Sequence, residues 1–312
     1  MKANTTMNSE NVGFFLQYTG RARGSRHFSR RLIRFLLLSA GSAFLALCSG
    51  NNNGTAANPL ERKTSIDQHG PVVLELFTSQ GCSSCPPADA LLARLRKEGQ
   101  IDGREVIVLS HHVDYWNRLG WKDPYSSKTA SERQEFYAER LGLRGIYTPQ
   151  MVIDGRFETV GHSEARIRNY IRQPSDPRQQ SGQSEINIQI ELNRKMPLVV
   201  VTLNEPLTSE ESLQLALVQD GLSNSVPRGE NANRRLSHDG VVHDFWHLDT
   251  AETVEPTATG APPQTADVSV RYTKRLEPDY GTGNFRLVVL RQQSDGAIVA
   301  ARQIDFKPLK LR

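Results

Sequence analysis

Cysteine is scarce: 312 residues hold three, Cys48, Cys82 and Cys85. A small exported scaffold held together by disulfides carries several spaced pairs, so that class is excluded. One pair two residues apart closes too small a loop to add much stability through chain entropy. Chemistry explains it better than stapling. Charge of one sign is also missing. Of the 38 Lys and Arg residues, seven fall in residues 1–50 against one of the 34 acids, so the rest of the chain carries 31 basic and 33 acidic residues, a net of −2. Phosphate backbones demand a one-signed basic face, and nucleic acid is not expected as a partner. Long apolar runs are lacking too. The run Phe35–Leu47 has 13 residues, short of the roughly 20 of a spanning helix.

That run follows Arg26, Arg30, Arg31 and Arg34 and precedes the polar stretch Ser49–Thr55. Charged region, apolar region and polar exit form the order of a secretory signal, which predicts an export signal over 1–50 and a linker over 51–69. Ser29–Ile33 resembles a twin-arginine signal, and Leu45–Cys48 a lipoprotein signal with Leu47 where a small residue is wanted. An uncleaved anchor is the alternative. The expected location is the periplasm or the exterior, with membrane contact confined to this signal or a lipid on Cys48.

Beyond the linker, Pro71–Phe77 is a short apolar run that reads as a buried strand. Thr78–Gly81 turns the chain, and Ala88, Leu91, Leu92 and Leu95 keep helical spacing from Cys85 to Lys97, with Pro86 and Pro87 in the first turn. Val106–Leu109 is a second strand and Thr129–Leu141 a second helix. Met151–Ile153 and Phe157–Val160 flank Asp154-Gly155, a hairpin signal, and Ser163 caps a last helix running to about Ile171. The order is β-α-β-α-β-β-α over 70–175. After the break at Pro174–Gly182, alternating Ile186, Ile188 and Ile190 and the runs Leu198–Leu203, Leu213–Val218, Val268–Val270 and Phe285–Leu290 predict an all-β, sandwich-like domain over 183–312. The Pro- and Thr-rich insert Thr250–Thr265 reads as a loop.

Cys82-Ser83-Ser84-Cys85 lies between a predicted strand and a predicted helix. Free N–H groups and the positive end of the helix dipole stabilise a thiolate there, which makes Cys82 the expected exposed nucleophile and Cys85 the buried resolving thiol. No second cysteine pair completes a metal site, and a purely structural disulfide is the plain alternative. Thr148-Pro149 enters the hairpin. A cis bond there would set the Thr148 backbone beside the dithiol, ready to pair with an extended peptide. Glu75 is the charged exception in its strand. Either it is a buried acid of raised pKa that shuttles the Cys85 proton, or a strand-edge carboxylate paired with a cation. His111, His112 and Asp114 sit beside Tyr115, Trp116 and Trp121: a substrate wall, a copper site with the cysteines, or a packed aromatic loop. Two adjacent histidines in a strand face opposite sides and cannot easily share an ion. Arg228–Asn231 and His238, with His243 and His247, receive no chemical role; docking the β-rich half against the first is the reading left for this stretch.

The strand, the Cys-x-x-Cys at a helix start and the Thr-Pro before a hairpin and final helix resemble the thioredoxin fold. More narrowly, Glu75–Asp89, His112–Trp116 with Leu119–Trp121, and Tyr147–Gln150 resemble the secreted thioredoxin-like family called domain of unknown function 1223. The resemblance implies an α/β thioredoxin-like domain, with Cys82, Cys85 and Pro149 carried over as active-site residues and no established substrate. The chain departs from typical thioredoxins in lacking a Trp before Cys82 and in placing Ser-Ser between the cysteines, so its redox poise is not inherited.

These readings converge on a thiol–disulfide oxidoreductase of the cell envelope acting on protein thiols and disulfides, served by an unidentified redox partner and needing neither cofactor nor metal. Cys82, Cys85 and Glu75 are the candidate catalytic residues. Tyr147, Thr148, Pro149 and Trp116 are the candidate substrate contacts. Two alternatives stand beside it: an envelope binding module whose disulfide is inert, and a copper-handling protein using the Cys-x-x-Cys.

Overall fold

The computed structural model describes residues 70–174, 176, 186–193, 196–249, 251–254, 269–276, 280 and 283–307. The predicted export signal, the linker and Cys48 lie outside the described residues. Val72–Thr78 (β1) is a buried strand and leads into helix α1, Pro86–Glu98. Pro at the first helical positions has no intrahelical N–H to forfeit, which is why the helix starts there. Its face of Ala88, Leu91, Leu92 and Leu95 packs on Leu74 and Leu76 of β1. A short β2, Gln100–Ile101, precedes β3, Arg104–His112. Helix α2, Lys128–Arg140, is capped by the Ser127 hydroxyl, which accepts from the Ala130 N–H. The hairpin of β4, Gln150–Ile153, and β5, Phe157–Val160, is followed by α3, Glu164–Ile171.

Beyond it come β6 (Ile186–Asn193), β7 (Met196–Leu203), β8 (Glu211–Asp220), β9 (Leu222–Val226) and β10 (Arg234–His238). The last strands are β11 (Val241–His247), β12 (Ala251–Val254), β13 (Ser269–Arg275), β14 (Asn284–Gln293) and β15 (Ile298–Phe306). β12 falls within the insert expected to be a loop, where it pairs with β13.

The expected α/β thioredoxin-like domain followed by an all-β sandwich does not hold. Among the described residues, strands dominate and three α-helices stand beside them. Strands from both halves of the chain form one mixed nine-stranded sheet, in the order β15-β14-β8-β11-β3-β1-β4-β5, with β2 on β3. The seam is the edge of β3, where β11 runs parallel with Val241 opposite Ser110, and the Ser110 N–H donates to the Gly240 carbonyl at 2.6 Å. An open edge of β3 would leave a row of backbone groups unpaired; β11 supplies the partner from 130 residues downstream. A second stitch joins the Asp154-Gly155 turn to the turn before β15, the Ile298 N–H donating to the Asp154 carbonyl at 2.9 Å.

Alternation along β8 shows how the layers are built. Leu213, Leu215 and Leu217 face a separate four-stranded sheet, β12-β13-β7-β6, and pack with Ile186, Val199, Val201 and Leu287. Ala216 and Val218 point the other way, into a core with Val73, Ile107 and Leu109. In place of the expected separate sandwich, the large mixed sheet itself packs against the four-stranded one.

Candidate functional site: a covered disulfide at a helix start

Cys82 and Cys85 form a disulfide. The Cys82 N–H donates to the Ser79 carbonyl and the Cys85 N–H to the Cys82 carbonyl, both at 3.2 Å. Cys85 then opens α1, its carbonyl accepting from the N–H groups of Ala88 and Asp89 at 2.8 and 3.1 Å. Ser83 and Ser84 are exposed, yet both cysteines are 0% exposed. The expectation that Cys82 is solvent-exposed is therefore corrected.

The cover comes from the segment between β9 and β10. These strands form a two-stranded sheet of their own. The buried Asn231 donates through Nδ2 to the carbonyls of Gln80 (3.0 Å) and Cys82 (2.8 Å). Glu230 Oε2 accepts from the Ser83 N–H at 3.0 Å. Gly229 has φ +81° and comes so near the aromatic loop that an added Cβ would stand 3.4 Å from Trp121 Cβ. The stretch left without a chemical role thus lies directly on the cysteine turn.

The candidate contacts gather on another side. Trp116 packs beside Gly81, where an added Cβ would be 3.3 Å from its Cβ, and its Nε1–H donates to Thr148 Oγ1 at 2.8 Å. One indole therefore spans the cysteine turn and the Thr148–Pro149 bond, which is cis. Pro149 is buried beside Gly161, at which a Cβ would meet Leu76 Cδ1 at 2.7 Å and the Cβ atoms of Ala88 and Pro149 at 3.0 Å. Tyr147 donates to Glu158 Oε2 at 2.5 Å, and burial raises its phenol pKa. Among the described residues, Leu119 is the exposed large hydrophobic side chain, at 48%.

Glu75 occupies the opposite face of β1. Leu74 and Leu76 point at α1, whereas Phe77 packs on Tyr137 of α2, and strand alternation puts Glu75 with Phe77. There the carboxylate accepts from Arg133 through both oxygens (Nη2 to Oε1 at 2.8 Å), from His111 Nε2 at 2.8 Å and from the Tyr137 hydroxyl. Burial alone would raise its pKa, but the Arg133 guanidinium and His111 hold the carboxyl well below the usual carboxylate range. The raised acid under Cys85 is corrected: Glu75 is a cation-paired carboxylate in a central strand.

His112 points the other way and belongs to a cluster that the sequence did not reveal. Its Nδ1 lies 2.7 Å from Asp123 Oδ2, which also accepts from the Gln80 N–H at 2.8 Å. His238 stacks edge-on against it, ring centroids 4.7 Å apart. Asp89 is 5% exposed, accepts from the Thr78 hydroxyl at 2.9 Å and lies 3.7 Å from His238 Nδ1. Burial disfavours charge on His112, but Asp123 raises its pKa nonetheless; Asp123 in turn is held low, against its burial, by His112. One local signal was available: Asp89 interrupts the apolar face of α1, four residues after Cys85. Among the described residues no group of three or more His, Cys, Asp or Glu is placed to hold a metal ion.

The fold and site define a mixed-sheet protein with a covered Cys-x-x-Cys disulfide at a strand–helix junction. The chain belongs to the family described as Protein of unknown function (DUF1223), which it matches over residues 73–283. No curated protein matches it. It is similar to the crystal structure of protein AGR_C_4864 from Agrobacterium tumefaciens, with 25% identity and a TM-score of 0.53, over 77% of this chain and 96% of that one. The hypothetical protein PH1083 from Pyrococcus horikoshii OT3 is far less alike, at 11% identity and a TM-score of 0.21 over 40% of this chain and 90% of that one.

Proposed function

We propose that the protein exchanges thiols and disulfides with other proteins of the cell envelope, and that the segment from Pro227 to Asn233 must lift for it to do so. The observation that carries this reading is the disulfide's position at the start of α1 beneath a cover held by side-chain hydrogen bonds. Such bonds contribute only about 1 kcal/mol each, so local opening is accessible without unfolding the protein. Once the cover lifts, a partner thiolate attacks Cys82 Sγ and forms a mixed disulfide; the Cys82–Cys85 bond breaks with its electron pair on Cys85 Sγ. A second thiol of the partner then displaces Cys82, and the partner leaves oxidised. In reverse, the Cys82 thiolate, stabilised by the α1 N-terminus, attacks a partner disulfide and Cys85 releases the product. Trp116 and Thr148, joined by a hydrogen bond, stand with Pro149 on the other side of the cysteine turn as the candidate partner contacts. The N-terminal leader supports an envelope location.

A second reading, a binding module with an inert disulfide, draws on the 0% exposure of both cysteines. Mixing the folded protein with dithiothreitol, with circular dichroism recorded in parallel, separates the two. Exchange predicts free thiols while the native spectrum persists. Thiols that appear only as the spectrum collapses would overturn it.

A further inference from the structure

Resting on the exchange reading above, we propose that the buried His112–His238 pair holds the proton that Cys85 takes up when the disulfide opens. Hydrogen-bond donors fix the state of both rings. Trp121 Nε1–H can only donate, and it meets Gln80 Oε1 at 3.1 Å. The other arm of the Gln80 amide is therefore its NH2, which donates to Asn224 Oδ1 at 2.5 Å and to His238 Nε2 at 3.1 Å. His238 Nε2 is thus the acceptor and its proton sits on Nδ1, which has no hydrogen-bond partner and faces Asp89 Oδ2 at 3.7 Å. His112 donates through Nδ1 to Asp123, leaving Nε2 equally unpartnered. The two rings stand at 80° to each other, 1% and 2% exposed.

Two buried imidazoles flanked by Asp89 and Asp123 accommodate one additional proton on the open Nε2 of His112, where the imidazolium is balanced by Asp123. The groups facing the pair are Asp123, Asp89 and Tyr125, and charge on His112 disfavours charge on His111 and His243.

The pair brackets the cysteines in the chain. Gln80, two residues before Cys82, bonds to His238 through its side chain and to Asp123 through its N–H. Asp89 lies one helical turn after Cys85, and both are buried. Cys85 is 0% exposed, so a thiolate released there is poorly stabilised as an anion and is protonated by the buried pair. Reduction by a dithiol carries two electrons and two protons to the protein. The S–S bond breaks, Cys85 takes a proton from the pair, Cys82 takes the second from the departing donor, and solvent restores the pair while the cover is open. Asp89 acts through His238 and Cys85 and is a positioning residue.

The test is a titration of the histidine rings by NMR in the full chain, oxidised and after reduction with dithiothreitol, with His112→Gln identifying its resonance. The proposal expects the proton affinity of the pair to differ at least threefold between the two redox states. By linkage, the fraction reduced at a fixed thiol ratio then changes with pH across the same range. Asp89→Asn shrinks that difference while the fold persists. Equal titration midpoints in both states of the unsubstituted protein overturn the inference and leave the exchange reading intact. A disulfide that stays closed until the chain unfolds overturns both.

Discussion

Replacing Asn231 with alanine removes the two side-chain hydrogen bonds that hold the cover to the carbonyls of Gln80 and Cys82. At about 1 kcal/mol net for each, the covered state loses about 2 kcal/mol. Every 1.4 kcal/mol is a factor of ten, so the open fraction rises roughly 30-fold. If dithiothreitol reaches Cys82 only through that opening, the rate of reduction in dilute reductant rises by the same factor. The loss also lowers the melting temperature by about 4–8 °C for a chain of this size. Stopped-flow quenching with a thiol reagent, repeated at several low urea concentrations, separates local from global opening. Local opening exposes little surface and gives a rate nearly independent of urea. An unchanged rate in the Asn231→Ala variant would refute the reasoning. So would a rate that climbs with urea as steeply as the unfolding equilibrium does.

Other substitutions probe the rest of the structure. Glu75→Gln strands the buried Arg133 without its counter-charge and should cost about 3–5 kcal/mol in urea denaturation at pH 7. Because the folded carboxyl is held below its ordinary value of 4.5, its stabilisation is complete above that pH and fades as pH falls through the folded value. The acid-unfolding curve of the unsubstituted protein should show that loss, and Glu75→Gln should not. Gly155→Ala places a Cβ 1.9 Å from the Gly296 carbonyl oxygen at φ +66°, so backbone must shift; a cost of about 3 kcal/mol or more is expected by thermal denaturation. Gly161→Ala meets Leu76, Ala88 and Pro149 and should cost about 1–3 kcal/mol by the same measurement.

What could be read from the residues was local. Pro86 and Pro87 before an apolar face and Asp154-Gly155 between two strands each signal their element within a few positions, and those elements formed. What could not be read depended on partners far away in the chain. The seam that merges both halves into one sheet rests on Val241 opposite Ser110, and nothing in the short Val241-Val242 run specifies that register. Cys82 looked exposed because its cover, Asn231, is 149 residues downstream. Glu75 read equally as a proton-shuttling acid and as a carboxylate paired with a cation, because Arg133, 58 residues on, could not be assigned to it. The cysteine pair itself was legible. Its environment was not.

The central claim, that this disulfide exchanges in the folded protein, is tested most directly by its equilibrium potential. Folded protein is equilibrated with graded thiol buffers and the reduced fraction is read by alkylation and mass. The account predicts a value within the span of exchanging pairs, roughly −270 to −120 mV; a value well below about −300 mV would mark a structural bridge and contradict it.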